Sequence, residues 1–148
     1  MARPKPPPVL ESPRELLRGA GLRCTASRLA VLQHLRQERR PLSHGELIEA
    51  LADRGFDAAT LYRNLIDLEG VELAQRVNLG DNVWRFESRA SDPRDTRHTH
   101  PHFVCLQCGE ILCLAEVQVK LSPAPGTIRS VVSSVSDIVL KGQCAQCA

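Results

Sequence analysis

Aromatic residues are scarce, 3% of the 148, so any core has to be assembled from Leu, Val, Ile and Ala. Long apolar runs are missing too. No stretch approaches the roughly 20 residues of a membrane-spanning helix. The opening Arg3-Pro4-Lys5-Pro6-Pro7-Pro8 lacks the apolar segment of a signal peptide. Together these absences point to a soluble cytoplasmic protein with no membrane partner. Nor is there a large excess of one charge: the formal net charge is +2, with 43% hydrophobic and 24% charged residues, as in ordinary globular chains. The length suits one ordinary domain or two small ones that lean on each other.

What is present is unevenly placed. Residues 1–40 carry nine Lys/Arg (Arg3, Lys5, Arg14, Arg18, Arg23, Arg28, Arg36, Arg39, Arg40) against three acids (Glu11, Glu15, Glu38). A basic front on a near-neutral chain suits a phosphate-facing surface, although a solvated charged face has the same composition. Four of the six cysteines form two Cys-x-x-Cys pairs. Without an export signal, that spacing reads as metal binding rather than disulfides.

The first half predicts helices with clear start signals. Ser12-Pro13-Arg14-Glu15 is a capping box with Pro at the first helical position, and Gly21 is a stop. Thr25 caps a second helix carrying Leu29, Leu32 and Leu35. Ser43-His44-Gly45-Glu46 opens a third, with Leu47, Ile48 and Leu51 inward and Gly55 at its end. Asp57 caps a fourth over 58–69, where Leu61, Leu65 and Leu68 form the apolar stripe and Tyr62, Arg63 and Asn64 are expected on other faces. Gly70 closes it. Two strand-like runs, 73–77 and 83–86, flank the turn signal Asn78-Leu79-Gly80-Asp81-Asn82. Helices followed by a hairpin is the order of a winged helix-turn-helix.

The expected division is a Pro-rich tail over 1–10, a winged-helix DNA-binding domain over 11–88, a linker over 89–97, and a metal-binding domain over 98–148. In the last part, 103–105, 110–114, 127–133 and 137–141 read as strands, with Ser122-Pro123-Ala124-Pro125-Gly126 as a break. The fold class expected is α+β: a winged helix followed by a small α/β domain.

Cys105-Leu106-Gln107-Cys108 and Cys144-Ala145-Gln146-Cys147 each put two thiols on one turn. Two such turns supply the four soft ligands of a tetrahedral Zn²⁺ site, with redox dithiols as the alternative. Four protein ligands leave no open position, so the site is structural. A second cluster precedes it: His98-Thr99-His100-Pro101-His102, in which alternate imidazoles share a face of an extended chain. With Glu87 at the end of the hairpin and Cys113 beyond the first cysteine pair, these imidazoles make up a candidate set for one ion between the two halves. A solvent-exposed His-rich loop and a merely buried Cys113 are the plain alternatives.

Five segments, in this order, resemble the ferric uptake regulator (Fur) family of bacterial metal-dependent repressors. They are Gly21-Leu22-Arg23-Cys24-Thr25 with Arg28, Ala59-Thr60-Leu61-Tyr62-Arg63-Asn64-Leu65, Trp84-Arg85-Phe86-Glu87, the run from His100 to Gly109, and the run from Gly142 to Cys147. The resemblance implies a homodimer paired through its C-terminal halves and bound to a palindromic, AT-rich operator. It places Tyr62 and Arg63 in the major groove, beside Thr60 and Asn64 on the recognition helix, and Arg23 in the adjacent minor groove. It maps the regulatory metal onto Glu87, His100 and His102. The usual His before the turn-helix pair is replaced here by Arg40 or Pro41, with His44 and His98 as further candidates. The peroxide-sensing branch has an Asp where this chain has Cys113. A third metal site of some members is not matched, because Thr99, Pro101, Lys120 and Ser136 stand at its positions. The family's long helix is expected shortened to 115–121.

A thiolate among the ligands favours Zn²⁺ over Fe²⁺ or Mn²⁺. The reading is therefore a zinc-responsive repressor; an iron-, manganese-, nickel- or peroxide-responsive regulator of the same family is the alternative. A zinc hydrolase, with Glu87 or Glu116 as base, lacks any catalytic signature, and the chain is not expected to be an enzyme.

Overall fold

The computed structural model describes residues 11–38, 40–89, 100–114, 116–126, 128–135 and 137–148. The tail, His98 and all of the expected linker except Arg89 lie outside the described residues.

The helical half follows its capping chemistry. Helix α1 (Pro13–Gly19) starts on the Ser12 capping box and is followed by a left-handed Gly21. Helix α2 (Ala26–Gln37) is capped by Thr25, whose hydroxyl accepts the Arg28 N–H. A two-residue strand, β1 (Leu42–Ser43), leads into α3 (His44–Ala50) on the Ser43 capping box. One 3-10 turn (Ala52–Arg54) and the left-handed Gly55 then reach α4 (Ala58–Gly70), capped by Asp57. Leu17, Leu32, Leu47, Leu61, Leu65 and Leu68 are fully buried together. Leucine thus fills the place that aromatics would take elsewhere, with Phe86 the buried phenyl ring among the described residues and Phe56 packed half-buried against the same core.

Strands β2 (Ala74–Asn78) and β3 (Trp84–Ser88) form the expected hairpin, and β1 completes an antiparallel sheet in the order β1-β3-β2. The Asn78 carboxamide accepts the Gly80 N–H, and Gly80 and Asn82 take positive φ to turn the chain. Alternation gives the hairpin two working faces. Ala74 and Phe86 point into the helical core. Val77 points the other way and packs, with Leu79, against Ile111, Val104 and Val139.

That second face meets a sheet of order β5-β4-β6, made from β4 (His102–Cys105), β5 (Ile111–Cys113) and β6 (Val139–Gly142). Strand β4 pairs antiparallel with β5 and parallel with β6. The α+β fold class is observed, with two corrections. Residues 129–133, expected as strand, form a short helix α5 (Arg129–Ser133). The β-branched Val131 and Val132 suit a strand, but β5 and β6 remain edges among the described strands and neither takes them as a partner, so the chain closes one helical turn instead. The helix expected over 115–121 is absent among the described residues 116–121. Val117 and Leu121 are exposed there, and a short segment that buries no apolar face gains too little to hold a helix.

Candidate metal centres and nucleic-acid interface

The two cysteine turns converge. Cys105 ends β4, and Cys144 lies two residues beyond β6; because the strands run parallel, Cys105 pairs with Gly142 and both turns open at one end of the sheet. The four sulfur atoms of Cys105, Cys108, Cys144 and Cys147 lie within 4.8 Å of one another, with Cys108 Sγ 3.7 Å from Cys144 Sγ. Gly109 (φ 75) closes the first turn, and Gln143 Nε2 ties the turns by donating to Gln107 Oε1 and the Cys147 carbonyl, each at 2.6 Å.

The donor chemistry fits a thiophilic cation. Backbone N–H groups of Cys108, Cys144 and Gln107 hold the Cys105 thiol down to about 6, the Cys144 N–H lying 3.4 Å from its sulfur. The neighbouring thiols of Cys144 and Cys108 push Cys147 up to about 12, and burial pushes Cys144 up. Thiolates crowded this closely repel one another, and a divalent cation removes that conflict.

The second cluster joins the two sheets. Glu87 comes from β3, and His102 and Cys113 are cross-strand partners on β4 and β5, with His100 just before β4. Their ligand atoms also lie within 4.8 Å of one another. His102 Nε2 is 2.9 Å from Glu87 Oε2, and His100 Nε2 is 3.3 Å from Glu87 Oε1. The imidazoles are tilted at 56° with centroids 4.7 Å apart. Burial works to raise the Glu87 carboxyl, but hydrogen bonds from His100 and His102 prevail and hold it at about 2. Hydrogen bonding to Cys113, then to Glu87, lifts His100 to about 10. The cluster therefore holds a proton where a cation would sit. His102 Nδ1 is buried with no hydrogen-bond partner. A carboxylate, two imidazoles and a thiol from two bodies fit a borderline-soft divalent ion.

The less certain ligands are resolved differently. His44 Nε2 lies 2.8 Å from the Ala58 carbonyl, and its ring packs edge-on against Tyr62 at 5.3 Å. It stands at α4 and outside the cluster, because the α3 start faces α4 rather than the second sheet. His98 lies outside the described residues.

Helix α4 presents Tyr62, 43% exposed, and an exposed Arg63 whose Nε donates to the Ala59 carbonyl. Thr60 is half-buried, its N–H held by Asp57. Asn64 is a correction: it is 5% exposed, three residues after Leu61 and four before Leu68, and so falls on the buried stripe rather than an outer face. Arg23 is exposed on the turn before α2. Its carbonyl accepts Arg28 Nη1 at 2.6 Å, while Arg28 Nη2 pairs with Asp67 on α4 at 2.6 Å. One guanidinium thus fastens the Arg23 turn to α4.

Two contributors escaped the sequence reading. Arg28 was seen only as part of a motif, since nothing local reveals an ion pair 39 residues long. Gln75, which hydrogen-bonds Glu87, stands opposite it because the hairpin is centred on Asp81, a register that the turn signal over 78–82 does not fix to one residue.

Among the described residues, no helix is long and apolar enough to cross a membrane. The sequence model of the Ferric uptake regulator family matches residues 19–123, a stretch that includes the second cluster but ends before Cys144. The peroxide-responsive repressor PerR of Staphylococcus aureus is 30% identical over 105 residues, which are 70% of this chain and 66% of that relative, just under two thirds of its length. The ferric uptake regulator of Vibrio cholerae superposes with a TM-score of 0.62 at 27% identity, over 88% of this chain and 98% of its own. The Helicobacter pylori regulator, described with three functional metal binding sites, shares the fold at a TM-score of 0.61 and 22% identity, over 99% and 97%.

Proposed function

The chain belongs to the ferric uptake regulator family, and from that premise we propose that it is a metal-dependent DNA-binding repressor switched by a cation held between its hairpin and its C-terminal sheet. The observation that carries this reading is the convergence of Glu87, His100, His102 and Cys113 from both sheets to within 4.8 Å. A ligand bound to both bodies favours one relative orientation over others, and so biases which DNA geometry the protein fits.

In this reading residues 11–88 bind DNA, 89–97 connect, and 98–148 pair with a second copy. The cysteines Cys105, Cys108, Cys144 and Cys147 hold a structural zinc. Exposed apolar residues in the C-terminal part, among them Leu112, Val117, Leu121, Ile128, Val131 and Leu140, support burial against a partner of the same chain. Tyr62 and Arg63 read base edges in the major groove of an AT-rich palindrome, with Arg23 in the minor groove. Zinc is the regulatory ion, because Cys113 offers a thiolate that iron and manganese do not favour. Chemistry on a substrate has no place in this scheme, and the protein works in the cytoplasm, where metal availability is read.

A second reading, iron- or manganese-responsive, is favoured by the relatives' names, a ferric uptake regulator and a peroxide-responsive repressor among them. The test is selection of genomic DNA fragments by the full chain loaded with Zn²⁺, Mn²⁺ or Fe²⁺, or treated with a chelator that spares the four-cysteine zinc. A shared palindrome recovered with zinc alone supports the first reading, and with manganese or iron the second. Equal capture with and without metal overturns both. Arg63→Ala is expected to weaken capture by roughly 1–3 kcal/mol while leaving metal uptake intact.

A further inference from the structure

Glu87 has two carboxylate oxygens, and the hairpin occupies one of them. Gln75 lies directly opposite Glu87 in the β2–β3 register, on the same face of the ribbon. Its Nε2 donates to Glu87 Oε1. A carboxylate accepts and an amide N–H donates, so the direction of this bond is fixed. Glu87 Oε2 points at His102 Nε2, 2.9 Å away, while His100 Nε2 sits almost equally near both oxygens, 3.4 Å from Oε2 and 3.3 Å from Oε1. The next inward residue of β2, Val77, is buried with Leu79 and Ile111, which seats this face of the hairpin on the sheet that carries the other ligands.

We propose that Gln75 is a positioning residue that sets the metal preference of the inter-sheet site. By holding Oε1, it leaves Oε2 as the leading carboxylate donor, so that Glu87 contributes one bond beside His100, His102 and Cys113. Four donors with one thiolate suit Zn²⁺, whereas Mn²⁺ gains from additional oxygen ligands, which a carboxylate supplies by turning both oxygens to the ion. Hydrogen-bond partners of metal-binding carboxylates fix their orientation and tune the site in this way. The inference rests on the reading that this cluster binds metal, and extends it to a residue outside the ligand set.

The test uses the full chain with zinc retained at the four cysteines and Co²⁺ added as an optical probe of the second site. Wild-type protein is expected to give the intense visible bands of four-coordinate cobalt with a thiolate ligand. Gln75→Met, which keeps the length and loses the donor, is expected to weaken those bands. Zinc affinity should fall about tenfold to a hundredfold, and manganese affinity should hold or rise, so the zinc-to-manganese ratio drops at least tenfold. Gln75→Asn, which withdraws the amide by one methylene, is expected to do the same. One retained zinc per chain and an unchanged melting profile of the metal-free second site show that each variant is folded. Variants with wild-type spectra and an unchanged ratio overturn the role of Gln75 alone. A wild-type chain that takes up no cobalt beyond its structural zinc overturns the metal-site reading beneath it.

Discussion

The two ligand clusters, four thiols in one and a carboxylate, two imidazoles and a thiol in the other, stand in opposite architectural settings. Cys105, Cys108, Cys144 and Cys147 all belong to one sheet and its flanking turns, so an ion there can only hold that sheet together. Glu87 belongs to a different sheet from His102 and Cys113, so an ion among them changes how two bodies sit on each other. The sheets differ also in what else sustains them. The hairpin sheet shares a large leucine core with four helices. Among the described residues the C-terminal sheet contributes Ile111 alone to the buried members of the small cluster it shares with Val77 and Leu79, leaving Leu112 and Leu140 exposed. On the proposed reading a sheet with so little core depends on a metal clamp, and the origin of the ligands separates a fastener from a switch.

The largest test of that contrast is loss of the clamp. Cys144→Ser is expected to remove the structural zinc, whose binding contributes on the order of 10 kcal/mol in small zinc modules. Amide exchange should show β4 and β6 unprotected while α2 and α4 stay protected. Protection of all four would erase the distinction. Cys113→Ser is expected to keep one zinc per chain and the fold, yet to lose more than about a hundredfold in affinity at the second site, read by competition with a metallochromic dye. Leu79→Ala removes a buried side chain that joins the sheets without metal. A loss of roughly 2 kcal/mol in chemical unfolding is expected, and with it weaker metal uptake, because the ion must then orient both bodies unaided.

The smallest effect is set by pH. His100, raised to about 10, carries a proton at neutral pH that an incoming ion must displace. Metal affinity is therefore expected to rise at least tenfold per pH unit between about 6 and 8. Glu87, at about 2, is ionised throughout and adds no slope. In the metal-free protein the sign is opposite. The raised His100 contributes stability that is complete below its ordinary value of 6.5 and lost as pH climbs toward 10. The lowered Glu87 contributes stability that is complete above 4.5 and lost as pH falls toward 2. Titration calorimetry in buffers of different ionisation enthalpy counts the released proton; none released at pH 7 would mean that His100 is not a ligand.

The helical half was legible because its signals are local. Ser12, Thr25, Ser43 and Asp57 each accept the N–H three residues on, as their spacing implies. The cysteine turns were legible for the same reason. Asn64 was misjudged although periodicity contained the answer, since a stripe through Leu61, Leu65 and Leu68 passes over it. The described residues 116–121 and 129–133 were illegible because their conformation depends on partners rather than on caps or alternation: Val131 and Val132 suit a strand, but no edge among the described strands receives them. That Glu87, His100, His102 and Cys113 meet follows from the register of β4 on β5 and the seating of the hairpin, neither of which single-residue patterns encode.

Strand β3 has a consequence for how this protein can change over generations. Phe86 belongs to the helical core and Glu87 to the metal cluster, yet they are adjacent in the chain. Point substitutions can therefore revise the responsiveness of the protein at one position while its neighbour keeps the fold intact. Insertion or deletion of a single residue within 84–88 has no such freedom. It would turn Glu87 toward leucines and Phe86 toward imidazoles in one step, since a slip of one residue exchanges the faces of a strand. Length variation in this hairpin should thus be tolerated at the Gly80-Asp81 turn and purged from β3, so that diversity of response accumulates by replacement alone.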